Sequence, residues 1–477
     1  MNLDGIDICI ISMYFLIIVF IGGFYGRKED NLNDYFLAGR RVRWFFVLLS
    51  IVATETSALT FIGTPAFAYN HNWTYIQLVI GAIIGRFILG GLFIPVFYRN
   101  RVFTVYEYLG TRFNHGSKNA SSIVFLITRC LASGVRLFGA SILLSVATGL
   151  DPFASIIIIA AFATIYTSIG GMKAVIITDA CQAIIMFGGA LLALFFIYRD
   201  IPQGWQGVMS ATSELSKWKA FDLSFSYKDA YTLWAGILGS TFFALATHGT
   251  DQDLVQRMLT AKNARQSKKA LILSGFVDIP IVILFLSIGS LLFALYQLVP
   301  DPDLPEKVDN IFPYYIVHNL PRAVSGILIA GVFSAAMSSI DSALNALSTT
   351  WINDFYRPYI KKNAGERHYL IMARVFTLAF ALFLVLIAYL CKDTNEVLIL
   401  GLEIGSFTYG ALLGVFLLGL VTRRGNDLGN MLGMAMSIIA LLLIKCYTEI
   451  PWVWYVMIGT MITFGIGSLF PSAKGEG

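Results

Sequence analysis

Charge is scarce in this sequence. Only 13% of its 477 residues are Asp, Glu, Lys or Arg, against 57% hydrophobic side chains, and the mean hydropathy is +0.72. Soluble domains carry about 25% charged residues, so this shortage excludes a soluble globular protein. Cysteine is scarce as well. Cys9, Cys130, Cys181, Cys391 and Cys446 are scattered with no CxxC or Cys/His spacing, which offers neither a disulfide framework nor a soft-metal site. The five histidines form no HExxH, and no GxxxxGK[ST] phosphate loop or nucleic-acid motif occurs. No nucleophile–base pair suggests an enzyme. The strict polar–apolar alternation of a transmembrane β-barrel is also missing.

What remains is a succession of apolar runs of roughly 20 residues, the length that carries a helix across a bilayer. The fold class is therefore an all-α polytopic membrane protein with about thirteen transmembrane helices. They are expected near 5–25, 44–69, 73–98, 121–148, 152–169, 174–198, 230–250, 270–296, 323–352, 370–391, 395–421, 427–446 and 451–471. The start, MNLDGID, is acidic, and positive charge follows the first run; this is not the pattern of a cleaved leader. Placing the N-terminus outside puts most loop lysines and arginines inside. Examples are Arg40, Arg41 and Arg43 after the first run, and Arg265, Lys268 and Lys269 before the eighth. The positive-inside rule thus predicts an outside N-terminus and a cytoplasmic C-terminus. The longest loops, near 200–229 and 297–322, then lie outside as surface helices, an outer lid or plain connections.

Polar residues inside spans are expensive and point to function. In SIVATETSALTFIGTP (50–65), Ala53, Thr56, Ser57 and Thr60 share one helix face, with Glu55 beside it. Gly63 and Pro65 follow, a natural place for the helix to break. A broken helix frees backbone carbonyls for a cation. SAAMSSIDSALNALS (334–348) repeats the pattern: Ala335, Ser338, Ser339, Ser342 and Asn345 keep the helical period, and Asp341 joins Ser338 at i+3. Oxygen-only donors of this kind suit hard cations. Small residues at helix spacing also permit close helix packing, so that reading stands beside the first. Asp179 and Gln182 lie on one face of the sixth span, where Asp179 is either a cation ligand or an arginine's partner. Thr247 and His248 precede Gly249, a predicted inner break of the seventh span. Glu403, Ser406, Thr408 and Tyr409 lie among glycines in the eleventh. Arg136, in mid-span, pairs with an acid such as Glu55 or Glu403, or else binds a substrate carboxylate.

Together these segments resemble the sodium/solute symporter family, which includes sodium-coupled sugar, proline, sialic-acid and monocarboxylate transporters. The resemblance covers essentially the whole chain. It is carried by SIVATETSALTFIGTPAFAY, RVFTVYEYLGTRFN (101–114), GVRLFGAS (134–141), IGGMKAVIITDACQ (169–182), GTDQDLVQRMLTAKN (249–263) and GVFSAAMSSIDSALNALSTTWINDFY (331–356), in that order.

The resemblance implies a LeuT-type core, five spans repeated in inverted orientation. Residues 1–43 would form a leading helix and inner loop. Residues 44–421 would form the core, with 44–198 and 230–421 as its repeats, and 422–477 would supply two further helices. By motif, the family's common sodium site falls on Ala53, Thr56, Ala335, Ser338 and Ser339, with Glu55 as a cation-linked acid. A second cation site of the sialic-acid type falls on Asp179, Asp341 and Ser342, Asp341 standing where the family has serine. The sugar pocket does not carry over: Thr247 stands at the gating tyrosine, and Leu59 and Thr60 at the sugar-binding acid and amide. Substrate-binding candidates are Thr60, Gln77, Arg136, Thr247, His248 and Glu403.

The function so implied is secondary active import of a small organic solute by sodium symport with alternating access. Sodium is the coupling ion and the only metal, with no cofactor. The partners are the solute and the lipid bilayer, with no nucleic acid and no obligate protein partner evident. The expected setting is a bacterial inner or plasma membrane. Two alternatives stay open. One is proton coupling through Glu55, Asp179 and Asp341. The other is a solute sensor, although only about six residues follow the last expected span, too few for a signalling domain.

Overall fold

The computed structural model describes residues 4–26, 31–392 and 397–472, and within them the chain is helical, with one isolated bridge between Val42 and Ala261. The helices are α1 (Gly5–Gly26), α2 (Leu32–Leu37), α3 (Trp44–Glu55), α4 (Ala58–Asn70), α5 (Gln77–Asn100), α6 (Val105–Arg112), α7 (His115–Thr148), α8 (Pro152–Asp200) and α9 (Trp205–Thr212). They continue as α10 (Ser240–Gly249), α11 (Gln252–Leu259), α12 (Ala264–Leu298), α13 (Ile311–His318), α14 (Val324–Thr350), α15 (Glu366–Leu390), α16 (Val397–Val421), α17 (Asp427–Tyr447) and α18 (Tyr455–Ser468). Side-chain caps start many of them. Asn31, Asp151, Asp251, Asn263 and Asn426 each accept a backbone N–H of the first turn, satisfying donors that the helix itself leaves open.

Among the described residues nine helices are long and apolar enough to cross a membrane, or ten if the bent pair α3 and α4 is one span. The sequence suggests about thirteen. The difference lies in segments that are helical but short or interrupted. The fifth expected span is the first part of α8, which runs on until Gly171 turns the chain with φ +52°, a conformation that suits glycine. The seventh is a π-turn (Ala235–Gly239) followed by the short helix α10.

The break in the second expected span also differs in place. It comes at Thr56–Ser57, not at Gly63 and Pro65. Thr56 has ψ 74° and Ser57 is extended, and α3 and α4 meet at a 57° bend. Gly63 and Pro65 lie inside α4. The reason is tertiary: carbonyls near the bend find partners on α14, as described below. The backbone at Pro65 is instead held by α12, where Gly289 approaches so closely that an added Cβ would run into the Pro65 carbonyl oxygen.

Helix α14 sits at the centre. In the span Val324–Ile360, 94% of the 18 most apolar consecutive residues are buried inside the protein, against 22% in the span of α1. Helix α14 packs against α8, α7, α1 and α3. A helix buried on every side has no lipid-facing stripe, so its serines, Asp341 and Asn345 all point into protein.

Candidate functional site

The bend between α3 and α4 faces the serines of α14. Ser338 Oγ donates to the Ala53 carbonyl at 2.9 Å, and Ser339 Oγ to the Thr54 carbonyl at 3.1 Å. Both hydroxyls also lie 3.2 Å from the Ala335 carbonyl. Thr56 caps α3, with its N–H on the Val52 carbonyl. All five sodium-site candidates are buried: Ala53, Thr56, Ala335, Ser338 and Ser339. Four of them, Ala53, Ala335, Ser338 and Ser339, converge through hydroxyl and carbonyl oxygens, a donor set suited to a hard monovalent cation.

The second candidate set is more engaged. Asp179 is fully buried, and its Oδ2 accepts from Ser50 Oγ at 2.5 Å and from Arg257 Nη2 at 3.0 Å. Its Oδ1 is buried without a hydrogen-bond partner among the described residues. Asp341 and Ser342 are buried on α14, and Ser342 Oγ donates to the Ser339 carbonyl at 3.1 Å. Arg257, which the charge pattern places in an inner loop, is instead completely buried. It also reaches the Ser338 carbonyl at 3.3 Å and Asp253 at 3.2 Å. So Asp179 does pair with an arginine, and one of its oxygens remains for other chemistry.

Beside the bend lies a cavity of about 240 Å³ whose lining includes Glu55, Thr60, Arg136, Thr247 and His248. Glu55 does not pair with Arg136 or lie free. Its Oε2 meets Arg86 Nη2 at 2.7 Å, and its Oε1 meets His248 Nε2. Arg86 extends its other arm to Asp278 at 2.5 Å. Arg86 and Asp278 both line the cavity, yet the sequence reading gave them no role. The signal was present, since each is a lone charge in an apolar run. Arg136 reaches the cavity from α7, with no carboxylate at ion-pair distance among the described residues.

Two other candidates lie elsewhere. Gln77 holds the segment between α9 and α10, donating to the Tyr231 carbonyl at 2.6 Å and accepting from the Asp222 N–H at 3.0 Å. Glu403 pairs with Lys445 of α17 at 2.5 Å. Neither is part of the cavity wall.

The two ends of the cavity differ. On one side α11 is buried along its whole length. Gln256 bonds to Phe36 and Asn345, Tyr98 to the Met258 and Ala261 carbonyls, and Arg129 to Asp251 and Asp253. On the other, a cavity of about 380 Å³ beside Asn70, His71 and Lys307 shares Gly63 and Asp309 with a small one of about 10 Å³ at Leu59 and Ile62. Leu59 lines both this small cavity and the central one.

This geometry has relatives. The model of the sodium:solute symporter family matches residues 35–437. The chain is 30% identical over 463 residues to the sodium/sialic acid symporter NanT of Aliivibrio fischeri, covering 95% of this chain and 90% of that one. It is 29% identical to the sodium/sialic acid symporter SiaT of Proteus mirabilis, covering 98% and 96%. Among solved structures, a substrate-bound, outward-open Na+-coupled sialic acid symporter superposes with a TM-score of 0.91 at 28% identity, over 99% of this chain and all of that one. MHP1, a nucleobase-cation-symport-1 family transporter, shares the fold at a TM-score of 0.59 and 14% identity, over 93% of this chain and 96% of that one.

Proposed function

Because this chain belongs to the sodium:solute symporter family, with a LeuT-type fold and sodium as its coupling ion, we propose that its solute is a small organic carboxylate received by Arg136. It is an integral membrane transporter and not an enzyme, and it uses no cofactor. The observation that carries the substrate reading is the Arg136 guanidinium, which lines the cavity without a carboxylate partner among the described residues. A guanidinium is a fork of donors suited to a carboxylate. The named cargo of the relatives, sialic acid, is also an acid. Thr60, Thr247 and His248 complete the polar part of the wall.

In this reading sodium binds where the α3–α4 bend meets α14, on Ala53, Thr56, Ala335, Ser338 and Ser339. It would hold the broken helix against α14 and shape the wall that begins at Thr54, whose carbonyl accepts from Ser339. Coupling is reciprocal, so the solute raises sodium affinity by the factor by which sodium raises the solute's. Each sodium adds about 2.3 kcal/mol per 100 mV of membrane potential. A second cation at Asp179, Asp341 and Ser342 is compatible with the unpartnered Asp179 Oδ1. The N-terminus lies outside and the C-terminus in the cytoplasm. The core occupies 44–421, with repeats 44–198 and 230–421 flanked by 1–43 and 422–477.

The test is a thermal-shift screen of the purified protein with sugars, polyols, nucleosides and carboxylates, each with and without sodium. A carboxylate should stabilise the protein more in sodium, and Arg136→Gln should lose that stabilisation. Stabilisation by uncharged sugars alone would refute the carboxylate reading.

A further inference from the structure

Two basic segments, far apart in sequence, meet where α3 and α12 begin. Val42 and Ala261 form the one β-bridge among the described residues, with the Val42 N–H on the Thr260 carbonyl at 3.1 Å. The residues that follow its two members are both basic, Arg43 and Lys262. Arg265, Lys268 and Lys269 then lie one turn apart at the start of α12, at spacings that share a face. The Lys269 ammonium sits 3.8 Å from the centre of the Trp44 ring, which joins that face to the start of α3. All five basic residues are exposed, and none has a carboxylate at ion-pair distance among the described residues. The acids on adjoining segments are engaged elsewhere. Asp34 accepts from Asn31, Glu107 from the Phe103 N–H, and Asp253 meets Arg129 and Arg257. Like charges gathered in this way repel one another, and an anion set among them relieves the repulsion.

The surface next to the patch says which anion. Phe45 and Phe46, just after Trp44, are exposed. Phe276, two turns along α12 from Lys269, is exposed as well, and it packs edge-on against the exposed Phe87 of α5. Lys268 lays its stem along α5, where a Cβ added to Gly90 would lie 3.0 Å from its Cγ. Its neighbour Gly91 is exposed, with nothing within 4 Å. The charges therefore stand at the end of an apolar surface of the kind that faces lipid, with a tryptophan at the boundary. A free anion would use only the charges. A phospholipid with an anionic headgroup uses both parts.

We propose that this patch binds an anionic phospholipid, its headgroup among Arg43, Lys262, Arg265, Lys268 and Lys269 and an acyl chain along Phe87 and Phe276. The proposal is independent of the identity of the solute. The headgroup joins the start of α3 to the start of α12. Helix α3 ends at the bend, and α12 follows α11, which carries Arg257. The lipid thus clamps together two segments that meet the cation-site residues at their other ends.

The test uses the full-length protein purified in dodecyl maltoside. It is titrated with dioleoyl phosphatidylglycerol, dioleoyl phosphatidylcholine or inorganic phosphate, and the midpoint of thermal stabilisation is read. Phosphatidylglycerol should act at a tenfold or more lower concentration than phosphatidylcholine. A lysine or arginine beside an anionic lipid surface contributes a factor of about five in affinity. Arg265→Gln with Lys269→Gln should therefore raise the phosphatidylglycerol midpoint about 25-fold. Arg43→Gln with Lys262→Gln supplies the same reading from the α3 side. Lys361→Gln with Lys362→Gln, also exposed but in the segment between α14 and α15, should leave the midpoint unchanged. Each variant should keep the stabilisation by sodium that marks a folded protein. Equal action of the two lipids, an unmoved midpoint in both patch variants, or an equal shift in the Lys361 and Lys362 variant overturns the proposal. Phosphate matching phosphatidylglycerol would show a free-anion site and overturn the lipid.

Discussion

Replacing Ser339 with alanine separates a cation ligand from a packing serine. In the structure its hydroxyl lies 3.1 Å from the Thr54 carbonyl and 3.2 Å from that of Ala335, fully buried. A hydrogen bond to a charged group contributes about 1.5–3 kcal/mol, a fair scale for one neutral oxygen on sodium. Sodium binding must also release the Ser339–Thr54 hydrogen bond, which contributes about 1 kcal/mol. The variant has nothing to release. The net loss of sodium binding free energy is then about 0.5–2 kcal/mol, or about 2- to 30-fold in half-saturating concentration. Sodium titrations of thermal stability, or direct ²²Na⁺ binding to purified protein, measure this midpoint. Ser334→Ala is the control. It is equally buried on the same helix, but its hydroxyl donates to the Ala330 carbonyl one turn back, at 2.8 Å, and otherwise meets Tyr14 rather than the bend, so its midpoint should not move. An unchanged midpoint in Ser339→Ala, or an equal shift in Ser334→Ala, would refute the placement of sodium at this bend.

Other perturbations probe the frame around the site. Arg86→Met strands two acids that are 15% and 17% exposed. Breaking a buried pair costs about 3–5 kcal/mol, and the residual exposure favours the lower end, so detergent-solubilised protein should lose about 3 kcal/mol against denaturant, with part recovered by adding Asp278→Asn. Gly289→Ala should sharply reduce the yield of folded protein by size-exclusion chromatography, because its Cβ would meet the backbone at Pro65, while Gly188→Ala, where nothing lies within 4 Å, should not. Between α9 and α10, burial pushes the Lys217 ammonium down to about 8 from 10.5. It donates to the Tyr69 carbonyl at 2.5 Å and lies over the Phe293 ring. Between those two values the unfolded chain binds more protons than the folded one, so stability rises with pH across that window. Thermal melts from pH 7 to 10 should show wild type gaining on Lys217→Met, and parallel curves would exclude the effect.

The features legible in the sequence were those fixed by local period. The polar stripe of 334–348 follows helical spacing, and it faces the segment around Ala53 as expected. What escaped depended on contacts between distant segments. The break came at Thr56 because Ser338 and Ser339, far along the chain, take the carbonyls of Ala53 and Thr54. Gly63 and Pro65, the local helix breakers, stay helical under tertiary packing. Arg257 read as a loop charge because α11 is short and polar, and nothing local shows that α2, α3 and α14 close over it. Glu55 was recognised as important, but its partners Arg86 and His248 are 31 and 193 positions away. Periodicity cannot choose among several mid-span arginines. Gln77 anchors the segment between α9 and α10 and Glu403 pairs with Lys445, contacts that no local period announces.

The serine–carbonyl bonds at the bend also bear on the leg of the cycle on which a carrier returns unloaded. Backbone carbonyls freed by an unwound helix would ordinarily demand water or an ion at all times. Here a hydroxyl can turn about a single bond, offering its proton to a carbonyl at one moment and its lone pairs to a cation at another. The junction thus keeps its hydrogen bonds in order whether or not cargo is aboard. A symporter needs that property, because it must cross the membrane empty as readily as full, and a junction that held together only when loaded would strand it on the inner side.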